Sequence, residues 1–121
     1  MKNEIEIDGV KYVQKDSVTG KRESIKQKQY VIARTYSAGV FAGYLKKREG
    51  KEVTLQDSRR IWYWKGACSL SQLAMEGTKN PDECKFAMVV DEVLLTECIE
   101  LIPCKAEAMG NIQGVKVWKN D

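Results

Sequence analysis

The sequence predicts an α+β fold, an antiparallel β-meander carrying two short-to-medium helices. Ahead of Ser69 most runs alternate with period two or are rich in β-branched and aromatic residues, which is the pattern of strands. At Ser69, and again after Lys105, the apolar period becomes helical. The strand-like runs follow one another through short turns, so neighbours in sequence are expected to pair in space.

Glu4-Ile5-Glu6-Ile7 alternates, Asp8-Gly9 suits a type I′ turn, and Val10-Lys11-Tyr12-Val13 alternates again, which makes a hairpin. Residues 14–29 are polar and lysine-rich, with Val18 and Ile25 their only apolar members, and read as a mobile basic connection. Tyr30 to Tyr36 reads as a strand. Ser37-Ala38-Gly39 interrupts it and Val40 to Leu45 resumes it, as either a tight hairpin or a bulge in one continuous edge. Lys46 to Lys51 is a charged turn into Glu52 to Leu55, and Ser58 to Trp64 is the next strand.

On that strand Arg60, Trp62 and Trp64 share one face, and Arg59, Ile61 and Tyr63 the other. Ser69 to Gln72 fits a capping box: the serine hydroxyl accepts from the Gln72 N–H and the glutamine side chain reaches back. Leu70, Leu73 and Ala74 give the helix over 69–76 one apolar side, Gly77 stops it, and Pro81 bars continuation. Lys79 to Asp82 is a turn and Phe86 to Val90 a strand. Residues 92–102 fit both periods and are read as strand, because Thr96, Ile99 and Ile102 are β-branched and Pro103 ends the run. Lys105 to Gln113 is helical, Gly114 stops it, and Val115 to Trp118 is a last strand or a partner contact.

With 121 residues the chain forms a single domain over 1–121. Its 43% hydrophobic and 31% charged residues suit a soluble globular protein, and a net charge of +3 permits an anionic ligand without demanding DNA. No apolar run approaches the roughly 18 residues that span a bilayer, and MKNEIEIDG lacks the apolar core of a signal peptide, so a cytosolic location is expected. Cys68, Cys84, Cys98 and Cys104 form no CxxC pair and there is no histidine, which favours free buried thiols over zinc. The same absence removes Ser–His and Cys–His nucleophilic catalysis. Asp82-Glu83 and Asp91-Glu92 are adjacent rather than convergent, because strand neighbours point to opposite faces, and they suit turn and surface positions. No catalytic residue, metal or cofactor is expected.

What remains is binding chemistry. Arginine grips phosphate bidentately and stacks on rings, tryptophan offers a rigid π-face, and a helix N-terminus presents free N–H groups to an anion. Neither GxxxxGK[ST] nor GxGxxG occurs, so a nucleotide would be held by stacking and guanidinium groups.

The runs YVIARTYSAGVFAGYL, SRRIWYWKGACSLSQLAMEGTKNPDECKF and VDEVLLTECIELIP resemble small phage and prophage counter-defence proteins. More narrowly, they resemble Thoeris anti-defence proteins of the first type, sponges that sequester the cyclic ADP-ribose isomer used as an alarm signal by the bacterial Thoeris system. The likeness spans residues 30 to 104. It implies a β-core with helices, homo-oligomers with ligand pockets between protomers, action in the cytoplasm of the bacterial host, and tight binding without cleavage. Chemistry then assigns Trp62, Trp64 or Phe86 to stack the adenine, Arg59, Arg60 or Arg34 to hold phosphates, and Ser37, Ser69 and Asn80 to bond ribose hydroxyls. Some of these are expected to be core, Trp62 and Phe86 first. The alternative is a protein-interaction module that docks on a host protein through an exposed Trp62/Trp64 face.

Overall fold

The computed structural model describes residues 28–120, so the expected hairpin over 4–13 and residues 14–27 of the basic connection lie outside the described residues. Strands β1 (Tyr30–Thr35), β2 (Val40–Glu49) and β3 (Glu52–Tyr63) lead to helix α1 (Leu70–Glu76) and a 3-10 turn at Pro81–Glu83. Strands β4 (Lys85–Phe86), β5 (Val90–Leu95) and β6 (Cys98–Pro103) follow, and helix α2 (Ala106–Gln113) closes the series. The fold is α+β: β1 to β3 form an antiparallel meander, and two helices pack on it.

The break at 37–39 is a hairpin. The Thr35 N–H donates to the Gly39 carbonyl at 3.0 Å, and Gly39 holds a φ of 105° that a side chain would resist. The next turn is tighter than the charged run suggests. Lys47 and Arg48 pair with Thr54 and Val53, so the ladder runs to Glu49↔Glu52 and the turn narrows to Gly50 and Lys51. Charged side chains can extend a strand when they face water, and only the Gly50 φ of 60° needs a special residue.

β3 is one strand where two segments were expected. Asp57 adopts a φ of 48°, and the pairing register with β2 shifts beside it. This bulge reverses the side-chain alternation, so Leu55 before it and Arg60 after it both meet Phe41 on one side of the sheet. Residues 92–102 correct the expectation of a single strand. β5 pairs with β3 (Val53↔Leu95 to Ser58↔Val90), β6 pairs with β1 (Val31↔Pro103 to Thr35↔Cys98), and only Thr96 and Glu97 separate them. Because so short a link joins partners of β3 and β1, the sheet must curl. The Tyr36 N–H to Glu97 carbonyl bond (2.9 Å) and the Cys98 N–H to Lys51 carbonyl bond (3.0 Å) fasten the curl. The expected strand over 86–90 shrinks to β4, which borders the end of β3 at Ile61↔Phe86.

Two cores result. Within the curl, Val31, Ala33 and Phe41 pack with Val53, Leu55, Leu95 and Cys98. On the opposite side Tyr30, Ile32, Tyr44, Ile61 and Phe86 meet Leu73 and Ala74 of α1, Ile112 of α2, and Val115. Burying each large apolar side chain is worth about 1.5–3 kcal/mol, which is what holds such short helices in place. α1 starts at Ser69, whose Oγ accepts from the Gln72 N–H at 3.1 Å. The Gln72 side chain reaches back one residue further than a capping box requires, to the Cys68 N–H at 2.7 Å. Val115 to Trp118 resolves as a contact within the chain: Val117 bridges Phe86 in parallel, and the Trp118 N–H donates to the Phe86 carbonyl.

Candidate functional site

The neighbouring arginines of β3 have opposite surroundings. Arg59 shares the helix side with Ile61 and is 2% exposed. Its Nε donates to the Ala87 carbonyl at 3.0 Å, one Nη to those of Ile112 (3.1 Å) and Val115 (2.8 Å), and the other to that of Phe86 (3.2 Å). The guanidinium lies 5.4 Å from the centre of the Phe86 ring. Burial lowers its pKa, with the nearby Tyr30 working the other way. Arg59 is thus a structural clasp across β3, β4 and the end of α2, with its fork already filled, and Phe86 is fully buried beside it. Neither is placed to touch a phosphate or stack a base.

Arg60 points to the other side. Its guanidinium carbon stands 4.7 Å from the Phe41 ring centre and 5.3 Å from that of Trp62, so two rings flank the charge. Its buried Nε has no hydrogen-bond partner. Two adjoining clefts meet at this residue. One, of about 160 Å³, includes Thr35, Ser37, Thr96 and Glu97 in its wall; the other, of about 190 Å³, includes Ser58, Trp62, Met88 and Val90. Phe41, Arg60 and Val93 line both. An aromatic-flanked guanidinium between a hydroxyl-bearing and an apolar cleft is equipped to hold an anion attached to a ring.

Of the nine residues anticipated from sequence, Ser37, Arg60 and Trp62 are brought together here. Trp62, a stacking candidate and with Phe86 the first to be given up to the core, is 57% exposed, with its ring edge against Trp118 and the ring centres 6.4 Å apart. Ser37 donates to Glu97 at 3.1 Å. Trp64 does not share the face of Arg60 and Trp62: β3 ends at Tyr63, and the half-buried Trp64 packs against the helix-side core. Arg34 pairs with Glu100 at 2.9 Å on the exposed face of β1 and β6. Ser69 caps α1, and Asn80 braces its own turn, with its N–H on Thr78 Oγ1 (3.0 Å) and its amide on Glu83 (3.3 Å). Phe41 and Ser58 are the site residues that sequence reasoning missed. Phe41 lies opposite Arg60 in the β2–β3 register, so a correct pairing would have found it. Ser58 carried no signal beyond its place two residues from Arg60.

The four cysteines are free thiols, Cys68 exposed, Cys84 and Cys98 buried, Cys104 half-buried. Burial pushes the Cys104 thiol from an ordinary value near 9.0 up to about 11. The same cause, burial first, raises the Tyr30 phenol above its usual range. In both, the folded state keeps a proton that the unfolded chain releases sooner. The stability they contribute is therefore complete below pH 9 and is lost as the pH climbs through 11 for Cys104. Unfolding midpoints measured from pH 8 to 11 are expected to fall, and less steeply in Cys104→Ala. A flat profile would contradict this.

Residues 28–112 match a family described as a domain of unknown function (DUF6948), a span that runs from ahead of β1 to the last turn of α2. The chain belongs to this family. No curated protein and no solved structure matches the chain. The DUF6948 match takes in every residue that lines the two clefts, so the Arg60 site lies wholly inside the family's domain. No helix among the described residues is long and apolar enough to cross a membrane.

Proposed function

We propose that this chain captures a phosphorylated ring compound at Arg60 and holds it intact, and that the compound is a cyclic ADP-ribose signalling nucleotide. On this reading the protein is a phage anti-defence sponge that blocks Thoeris immunity in the cytoplasm of the bacterial host. The carrying observation is the Arg60 guanidinium, 4.7 Å from the Phe41 ring centre and 5.3 Å from that of Trp62, at the place where two clefts join. That geometry favours an anion with an attached ring; the resemblance to Thoeris anti-defence proteins supplies the identity of the nucleotide. Stacking contributes about 1–3 kcal/mol per base, and a charge-assisted bond to phosphate about 1.5–3 kcal/mol, so one enclosed pocket can sequester without doing chemistry. A chain with no histidine lacks the commonest proton shuttle for cleaving what it holds. Both clefts are open to solvent, and a second copy of the chain seated over Trp62, Met88, Val90 and Trp118, all exposed, would enclose the ligand between protomers.

The same exposed apolar residues favour a second reading, a module that docks on a host protein through this face. One experiment separates the readings: the protein is incubated with cyclic ADP-ribose isomers, freed of unbound nucleotide and denatured by heat. Recovery of unaltered nucleotide supports capture, and an altered product means an enzyme. No binding at micromolar concentration leaves the docking module.

A further inference from the structure

We infer that Glu97 reads the sugar of the captured nucleotide: beside Ser37 it accepts a free ribose hydroxyl and turns away a sugar that carries a phosphate. This rests on the nucleotide reading above. The cleft of about 160 Å³ on the Ser37 side of Arg60 has two charged residues in its wall, Arg60 and Glu97. The Ser37 hydroxyl donates to one Glu97 carboxylate oxygen at 3.1 Å, and both residues are exposed, so a ligand in the cleft reaches them without moving the core. Among the described residues Arg60 and Glu97 form no ion pair with each other. The cleft thus holds a cation and an anion that do not cancel in direct contact.

The backbone fixes where the carboxylate starts. Ser37 lies in the turn that the Thr35 N–H closes on the Gly39 carbonyl, and the Thr35 hydroxyl ties that turn again, donating to Gly39 at 2.8 Å and accepting from the Ala38 N–H at 2.9 Å. The Glu97 carbonyl accepts from the Tyr36 N–H at 2.9 Å, which laces the β5–β6 link to this turn. Ser37 and Glu97 are therefore presented together by segments already joined in the empty protein. A carboxylate only accepts, and with about four lone-pair sites it can keep Ser37 and still take a sugar hydroxyl. A phosphate in the same place brings acceptor oxygens and like charge, and the repulsion grows as the ligand excludes water. The same division holds in dinucleotide sites, where an acidic residue bonds a ribose hydroxyl and an arginine accommodates a phosphate on it. Arg60 takes the diphosphate, and Glu97 marks where the ligand's negative charge must end.

The test is titration calorimetry of the wild type and Glu97→Gln with cyclic ADP-ribose isomers, each with and without a phosphate on an adenosine-ribose hydroxyl that the ring closure leaves free. The wild type is expected to bind the phosphorylated form of the isomer it captures about tenfold more weakly than the plain form. Glu97→Gln keeps the shape and removes the charge; its position is exposed, so it is expected to melt with the wild type and to bind the two forms nearly alike. A folded Glu97→Gln that keeps the wild-type ratio, or a wild type that binds both forms equally, overturns the role of Glu97 and leaves the nucleotide reading standing. A wild type that binds no isomer in either form overturns both.

Discussion

Arg59→Ala is expected to lose about 3–5 kcal/mol of unfolding free energy, a large part of the stability of a domain this size. The guanidinium is buried, and all four of its close acceptors are backbone carbonyls, on Phe86, Ala87, Ile112 and Val115. Two of them lie at the end of α2 or just beyond it, where unpaired carbonyls concentrate the negative end of the helix dipole. Truncating the side chain takes the guanidinium donors from these oxygens and empties the space against Phe86; the Phe86 and Ile112 carbonyls keep the Trp118 and Val115 N–H groups, while those of Ala87 and Val115 lose their donor, so the loss exceeds that of one hydrogen bond. Methionine in its place restores volume but no donors and is expected to recover only the packing share. Urea unfolding followed by tryptophan fluorescence measures this. A loss under about 1 kcal/mol would mean that the clasp carries little weight.

One residue along, the outcome reverses. Arg60→Met is expected to shift stability by no more than about 1 kcal/mol, since its Nε bonds to nothing and a thioether packs well against Phe41 and Trp62. Its affinity for a cyclic ADP-ribose nucleotide is expected to fall about 100-fold, near 3 kcal/mol, through loss of a stacked, charge-assisted phosphate contact. Calorimetry beside a thermal melt reads both quantities on one sample. A folded variant that binds as tightly as the wild type removes Arg60 from the site.

Strand positions and the first helix were legible because alternation, β-branching and the Ser69–Gln72 cap are local signals, and local chemistry decides them. The curl was not legible. It depends on the left-handed Asp57, a residue with no glycine signature, and on a two-residue link at Thr96-Glu97 that carries no turn residue, so both periods overlapped across 92–102. The fate of Arg59 was half legible. It shares a face with Ile61, and once that isoleucine is core the arginine must follow; but the carbonyls that satisfy it come from distant segments that no periodicity brings into view. Trp64 went astray because alternation was carried one residue past the end of β3.

The clasp also orders events in time. Its acceptors stand 27 to 56 positions further along the chain, so the charge on Arg59 is expected to stay hydrated until β4, α2 and the stretch after it have converged. A cation gives up its water late, after collapse has gathered the carbonyls that replace it. Energy gained on the native side of the folding barrier governs the rate of escape rather than the rate of formation, so removing the guanidinium is expected to speed unfolding far more than it slows folding, which the two arms of a urea chevron measure separately.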